Sequence, residues 1–193
     1  MKFILASASS RRLDLLNRIG FVPDTIVSPD IAEIPHKHEL PRDFVRRMAT
    51  SKAQAIEIQP NDVLLAADTI VALGRRILGK PQDRIEAEQN LRLLSGRRHR
   101  VITAVMVRNS HHAKIKIVES VIKVKRFSPE ELKIFLNTNE WLGKAGGYGI
   151  QGHAERFIPW ISGSYSGVMG LPLYETGILL ESFGLKSRKL SAT

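Results

Sequence analysis

Apolar positions recur along the chain in two rhythms, one of strands and one of helices. Lys2–Ala6 is a short apolar strand, and Ser7-Ala8-Ser9-Ser10 turns from it into a segment where Leu13, Leu16 and Ile19 fall at near-helical spacing. Gly20 is placed to end that helix. Phe21–Val27 reads as extended, and Ser28–Leu40 as a polar loop holding Pro29, Asp30, Glu33 and Pro35. Asp43–Ile58 reads as a second helix, with Phe44, Val45, Met48 and Ala49 on one face and Lys52 one turn further on. Val63–Ala67 is a continuous apolar run bounded by polar residues, the pattern of a strand buried on both faces. Ile70–Leu73, Gly74-Arg75-Arg76 and Ile77-Leu78 read as a hairpin, and Asp83–Leu94 as a helix capped by its Asp with Gly96 beyond its end.

The second half continues the alternation. His99–Arg108 and Lys114–Phe127 are β-branched and alternating, which predicts a long antiparallel pair. Ser128-Pro129-Glu130-Glu131 is a capping box with proline at the first helical position, so a helix starts there. Gly143–Gly152 is glycine-rich, and a second glycine-bearing loop runs from Gly163 to Gly170. A helix over Leu171–Phe183 and a frayed basic tail over residues 186–193 complete the reading. The fold class is α/β with a mixed sheet, and no repeat or linker divides the 193 residues into separate domains.

Composition narrows this picture. There is no cysteine, which excludes disulfides, thiolate metal sites and a cysteine nucleophile. No apolar run is long enough for an export signal or a membrane span, since Asp68 interrupts Val63–Leu73, so a cytoplasmic protein is expected. The 29 Lys and Arg outnumber the 19 Asp and Glu, giving a net charge of +10. That excess suits a polyanionic partner, either a small substrate or a nucleic acid. The basic residues are scattered, however, and aromatics are only 6% and do not interleave with them. No stacking platform is visible, and no specific nucleic acid is expected as a partner.

Four constellations could carry chemistry. A strand leading through Ser7 and its neighbours into a helix beside Arg11 and Arg12 offers unpaired backbone N–H groups and two guanidiniums, a combination that holds phosphate. Asp68 follows the buried run, and strand ends in α/β sheets are where ligands bind; as a bland alternative, it caps a turn with Thr69. Glu33 adds a carboxylate, and Lys52 and Lys80 add ammoniums; carboxylates with water are the hard ligands magnesium and manganese prefer. Glycines around Tyr148 and Gln151 let backbone approach a flat ligand, and the Gln amide can match a nucleobase edge with two hydrogen bonds. There is no HxxxH pattern, no Walker A sequence and no GxGxxG after a strand, so zinc, P-loop and dinucleotide chemistry are not indicated.

In this order the segments resemble the Maf family of nucleoside triphosphate pyrophosphatases. The matching stretches run from Leu5-Ala6-Ser7-Ala8-Ser9-Ser10-Arg11-Arg12 through Ser28-Pro29-Asp30-Ile31-Ala32-Glu33, Ser51-Lys52-Ala53 and Ala67-Asp68-Thr69 to Gly79-Lys80-Pro81. They continue with Leu94-Ser95-Gly96 and His99, then Lys144 to Gly152, Gly163-Ser164-Tyr165, and Gly170-Leu171-Pro172. Departures are small: Ser10 stands where the family commonly has proline, and Met169 where it has valine.

The resemblance implies a two-lobed α/β fold like that of inosine triphosphatases, with substrate in the cleft between lobes. It implies hydrolysis of a nucleoside triphosphate to monophosphate and pyrophosphate with a divalent cation (magnesium, manganese or cobalt), and it leaves a homodimer open. Asp68 matches the proton acceptor and, with Glu33, is the expected metal ligand; Ser7, Arg11, Arg12, Lys52 and Lys80 are expected on the phosphates. Arg11, Thr69 and Gln151 match the pattern of the dTTP/UTP subgroup, where a sister subgroup acting on 7-methyl-GTP shows Trp, Gln and Glu. A regulator of cell division without catalysis is the non-enzymatic alternative.

Overall fold

A computed structural model of the chain describes residues 1–188. They form a seven-stranded mixed sheet: β1 (Phe3–Ala6), β2 (Thr25–Val27), β3 (Val63–Leu73), β4 (Arg76–Leu78), β5 (Arg98–Arg108), β6 (Ala113–Lys123) and β7 (Trp160–Ser162). The strand order is β2-β1-β3-β5-β6-β7, with β4 hairpinned onto β3. β1 is parallel to β2 and β3, and every other pairing is antiparallel. The parallel pairs need crossovers, supplied by α1 (Ser10–Arg18) and α2 (Pro41–Gln54). The remaining helices are α3 (Arg84–Leu94), α4 (Pro129–Asn137), α5 (Tyr165–Met169) and α6 (Leu173–Ser182).

Two cores follow from the pleat of β3. Val63, Leu65, Ala67 and Val71 point to one face and pack with α1, α3, α4 and α6. Leu64, Ala66 and Ile70 point to the other and pack with Phe44, Val45, Met48, Ala49 and Ala53 of α2. This explains why the run carries no polar alternation: both faces are covered, and each large side chain buried there contributes about 1.5–3 kcal/mol.

Most elements lie where the pattern predicts, and the departures have local causes. Val63–Leu73 is one strand of 11 residues, so Asp68 sits inside it and not at its end. Pairing with β5 from Leu64↔Arg108 to Ala72↔Arg100 carries the strand straight through the carboxylate. α2 begins at Pro41, two residues before the predicted start, because proline suits a first helical position, and it ends at Gln54, short of the predicted Ile58. The extended reading of Phe21–Val27 shrinks to Thr25–Val27, and β6 stops at Lys123.

Glycine-bearing residues 163–170 include a short helix, capped by Ser164, whose Oγ accepts from Gly167 N at 3.0 Å. Gly170 at φ +124° and Pro172 separate that helix from α6, so the predicted helix from Leu171 begins at Leu173. The capping box of α4 is present in both directions: Glu131 N donates to Ser128 Oγ at 3.2 Å, and Ser128 N to Glu131 Oε2 at 3.0 Å. Of the basic tail, Ser187 Oγ donates to Ile19 O at 2.7 Å and Arg188 N to Gly20 O at 2.9 Å. Residues 189–193 lie outside the described residues.

Candidate active site

The site arises from a mismatch in strand length. β1 pairs with β3 only from Phe3↔Val63 to Ala6↔Ala66, then leaves for α1. β3 runs on, and β4 covers that edge only from Val71. Residues 67–70 therefore border a gap, which opens into a cleft of about 440 Å³. Because side chains alternate along a strand, Asp68 projects to the α2 face and Thr69 to the opposite one. The cleft wraps round the bare edge and is lined from both sides, by Asp68, Lys52 and Glu33 and by Thr69, Tyr148 and Gln151.

On the α2 face the site is ionic. The apolar stripe of α2 continues from Met48 and Ala49 to Lys52, which the helix delivers onto the sheet beside Asp68. Lys52 Nζ donates to Asp68 Oδ1 at 2.5 Å and lies 2.6 Å from Glu33 Oε1. Lys80 Nζ reaches Glu33 Oε2 at 3.3 Å, which completes a chain of alternating charge. Asp68 and Lys52 are both buried. Burial raises the Asp68 carboxyl above its ordinary value, against the opposing charges of Lys52 and Arg12. Burial alone would raise Glu33 as well, but its hydrogen bond to Lys52 and the charges of Lys52 and Lys80 hold it below the ordinary value. Two neighbouring carboxyls are thus pushed apart, one toward a proton acceptor and one toward a permanent anion.

The other face is built from directional hydrogen bonds gathered on the Arg12 guanidinium. Arg12 donates from Nε to Gly170 O at 2.9 Å, from Nη1 to Ser7 Oγ at 3.0 Å and from Nη2 to Thr69 Oγ1 at 3.4 Å. Thr69 Oγ1 is 3.0 Å from Thr103 Oγ1, which donates to Gly167 O at 2.8 Å. Arg12 is therefore a strut joining α1, β3 and α5, while Arg11 lines the cleft beside it. Ser9 caps α1 without a side-chain bond, and Ser10 and Arg11, whose N–H groups have no partner in their own helix, line the cleft.

Glycines close the remaining wall. Gly146 at φ +70° donates to Gly79 O at 2.9 Å, and a Cβ there would lie 3.0 Å from three carbons of Val71. Gly149 lets the chain pass between Lys144 and Gln151: its Cβ would meet Lys144 Cε at 2.8 Å and Gln151 Oε1 at 3.3 Å. Lys144 Nζ donates to the Glu140 carbonyl, and burial together with the charge of Arg11 lowers its pKa.

All nine predicted site residues meet in this cleft. Lys144 and Tyr148, which also line it, were absent from that set although both lie in the glycine run. The sequence singles out Tyr148 beside Gln151 in the glycine constellation but gives it no role, and the signal for Lys144 is only its place between the glycines.

For a divalent cation the donor set is small. Among the described residues no three His, Cys, Asp or Glu side chains gather. Glu33 and Asp68 do converge on one ammonium, so they face a common point where positive charge is held. Magnesium sites commonly take one or two carboxylates and fill the rest with phosphate oxygens and water, and this pair fits such a site.

The sequence profile of the family described as Maf-like protein matches residues 2–183. The chain belongs to the Maf family. This Maf chain is 53% identical over 193 residues to a protein of Ruegeria sp. named dTTP/UTP pyrophosphatase, covering all of both chains. It is 56% identical to another of that name from Roseobacter denitrificans, covering 95% of this chain and 98% of the relative. A solved HAM1 protein from Coxiella burnetii is similar at TM-score 0.45 and 15% identity, over 66% of this chain and 74% of that one.

Proposed function

We propose that the chain hydrolyses dTTP and UTP to the nucleoside monophosphate and pyrophosphate. The observation that carries this is the cleft's two-faced construction: a proton acceptor paired with cations on one side of β3, and Thr69 with the Gln151 loop on the other. Full-length relatives at 53–56% identity bearing the name dTTP/UTP pyrophosphatase support the choice of substrate.

The triphosphate enters a basic cleft. Arg11 and the N–H groups opening α1 take phosphate oxygens, Ser7 and Arg12 keep that turn in place, and Lys52 and Lys80 neutralise the rest. Asp68 accepts the proton of the water that attacks the α-phosphorus, and its raised pKa makes it a stronger base than an ordinary carboxylate. The water oxygen joins phosphorus as the bond to the bridging oxygen breaks, and pyrophosphate leaves with that electron pair. Phosphoryl transfer needs chiefly positioning and charge stabilisation, which these groups supply. Glu33 and Asp68 would hold a magnesium, manganese or cobalt ion, which when bound supplies charge neutralisation to the phosphates.

Gln151 reads the O4 and N3–H edge shared by uracil and thymine, donating to one and accepting from the other. Pyrophosphate release over a panel of canonical and modified triphosphates, 7-methyl-GTP included, tests the reading. dTTP and UTP are expected to lead, and equal or faster turnover of 7-methyl-GTP would overturn it.

A further inference from the structure

Gln151 sits on an exposed turn inside a run of glycines, the poorest support for a residue asked to discriminate bases. Between Ala145 and Gln151 the only large side chains are Tyr148 and Ile150, and both are buried. Ile150 packs without direction. Tyr148 does not: its Oη lies 2.6 Å from His99 Nε2, with the two rings edge to face at 85°. His99 is 2% exposed on β5, two residues from Val101 on the same strand face. Val101 pairs with Val71, the residue on which Gly146 rests, so one strand pair contacts the loop at both Gly146 and Tyr148.

The pair is not what packing alone would choose. His99 Nδ1 is buried with no partner among the described residues. If Tyr148 donates to Nε2, the neutral ring carries an orphaned Nδ1–H; if Nε2 donates, Tyr148 needs another acceptor for its O–H. A buried unsatisfied donor is destabilising, whereas an apolar pair of the same shape is nearly neutral. What the polar pair adds is direction, since the bond fixes the rotation of Tyr148 and with it the backbone three residues before Gln151.

We propose that His99, through its hydrogen bond to Tyr148, is a positioning residue for base recognition, holding the glycine loop so that Gln151 meets the pyrimidine edge. The inference rests on the dTTP/UTP reading. Asp68 projects from the opposite face of β3, so the pair acts on base binding and selectivity and leaves the phosphoryl step alone.

The test is steady-state pyrophosphate release from dTTP and dCTP by the full chain, with thermal unfolding in parallel. Tyr148→Phe keeps the ring and removes the bond; it should raise KM for dTTP by about five- to tenfold, narrow the dTTP-over-dCTP preference similarly, and leave kcat within about twofold. His99→Leu should behave the same way, and His99→Gln, whose amide can reach Tyr148 Oη, should restore most of the loss. In a Gln151→Ala background, Tyr148→Phe should change nothing further. A wild-type KM in Tyr148→Phe, additive losses in the double variant, or a fall in kcat that tracks lowered thermal stability would each overturn the proposal. Failure of the wild-type chain to turn over dTTP would instead remove the substrate reading beneath it.

Discussion

The two faces of β3 beside its bare edge differ in kind. On the α2 face, four charged side chains alternate in sign from Asp68 to Lys80. On the opposite face, hydroxyls, a backbone carbonyl and the Arg12 strut make directional contacts, and a glycine loop completes the wall. Ionic groups stabilise charge with little regard to angle, so they suit the phosphates and the attacked phosphorus. Directional hydrogen bonds lose strength quickly when misaligned, so they suit the flat edge of a base. One strand with a period of two thus places Asp68 and Thr69, a single residue apart, on faces of different character, and on the proposed reading this step separates turnover from selectivity.

The separation is tested most severely at Asp68. Asp68→Asn removes the proton acceptor and should lower kcat about 10²–10⁴-fold, the usual contribution of a general base. The order of preference among bases should stay as it was, because Thr69 and Gln151 are untouched. Pyrophosphate release over the same nucleotides reads both numbers, and a variant that keeps most of its dTTP turnover would remove Asp68 from the mechanism.

Lys52→Met strikes the same face differently. It leaves two carboxyls without the ammonium between them, and removing one partner of a buried ion pair costs about 3–5 kcal/mol. The loss should depend on pH. Folding raises the Asp68 pKa, so that group's stability contribution is present below its ordinary value and disappears as pH rises through the higher folded value. Without Lys52 the folded value moves higher still. Denaturant unfolding should therefore show a larger deficit at pH 8 than at pH 5, and a deficit independent of pH would show that Lys52 does not stabilise the ionised carboxylate.

How much of this was legible in the sequence depends on the period involved. Val63–Ala67 announced a buried strand because five apolar residues in a row require cover on both faces, and Lys52 stood one turn beyond Met48 on a helical stripe. Those two facts already aim an ammonium at the sheet. Hidden was the end of β1, four residues long, which sets where the edge of β3 goes bare; strand pairing is a long-range property that no local window contains. The polar Asp68 looked like a terminus for the same reason, although β5 carries the strand past it. Arg12 as a strut was equally hidden, since its carbonyl partner lies 158 residues away. Tyr148 and His99 were visible as members of separate segments and became a pair only in the fold.

A smaller effect lies beneath the selective face. Burial pulls His99 down to about 4. A histidine with a depressed folded value stabilises the fold above its ordinary value near 6.5, and that contribution is lost as pH falls toward the folded value. The difference corresponds to about 3 kcal/mol at most between pH 7 and pH 4. His99→Gln carries no titrating ring, so its stability should fall less steeply over the same interval in denaturant titrations. Parallel curves for the two proteins would mean that His99 is not held neutral by the fold.

Gln151→Glu is the mildest change and the sharpest on the comparison itself. It replaces the amide donor by an acceptor at the cleft rim, so the O4 of uracil or thymine meets a carboxylate in place of an N–H. One misdirected hydrogen bond of this kind should lower kcat/KM for dTTP and UTP about tenfold, on the order of 1–2 kcal/mol. The acid limb of the rate profile should keep its position if Asp68 sets it, because burial raises the Asp68 pKa against the charges of Lys52 and Arg12, and the substitution changes none of these. A shift of that limb together with the loss would mean that the two faces share one electrostatic environment. An unmoved limb with altered base preference is the result expected if the strand truly partitions them.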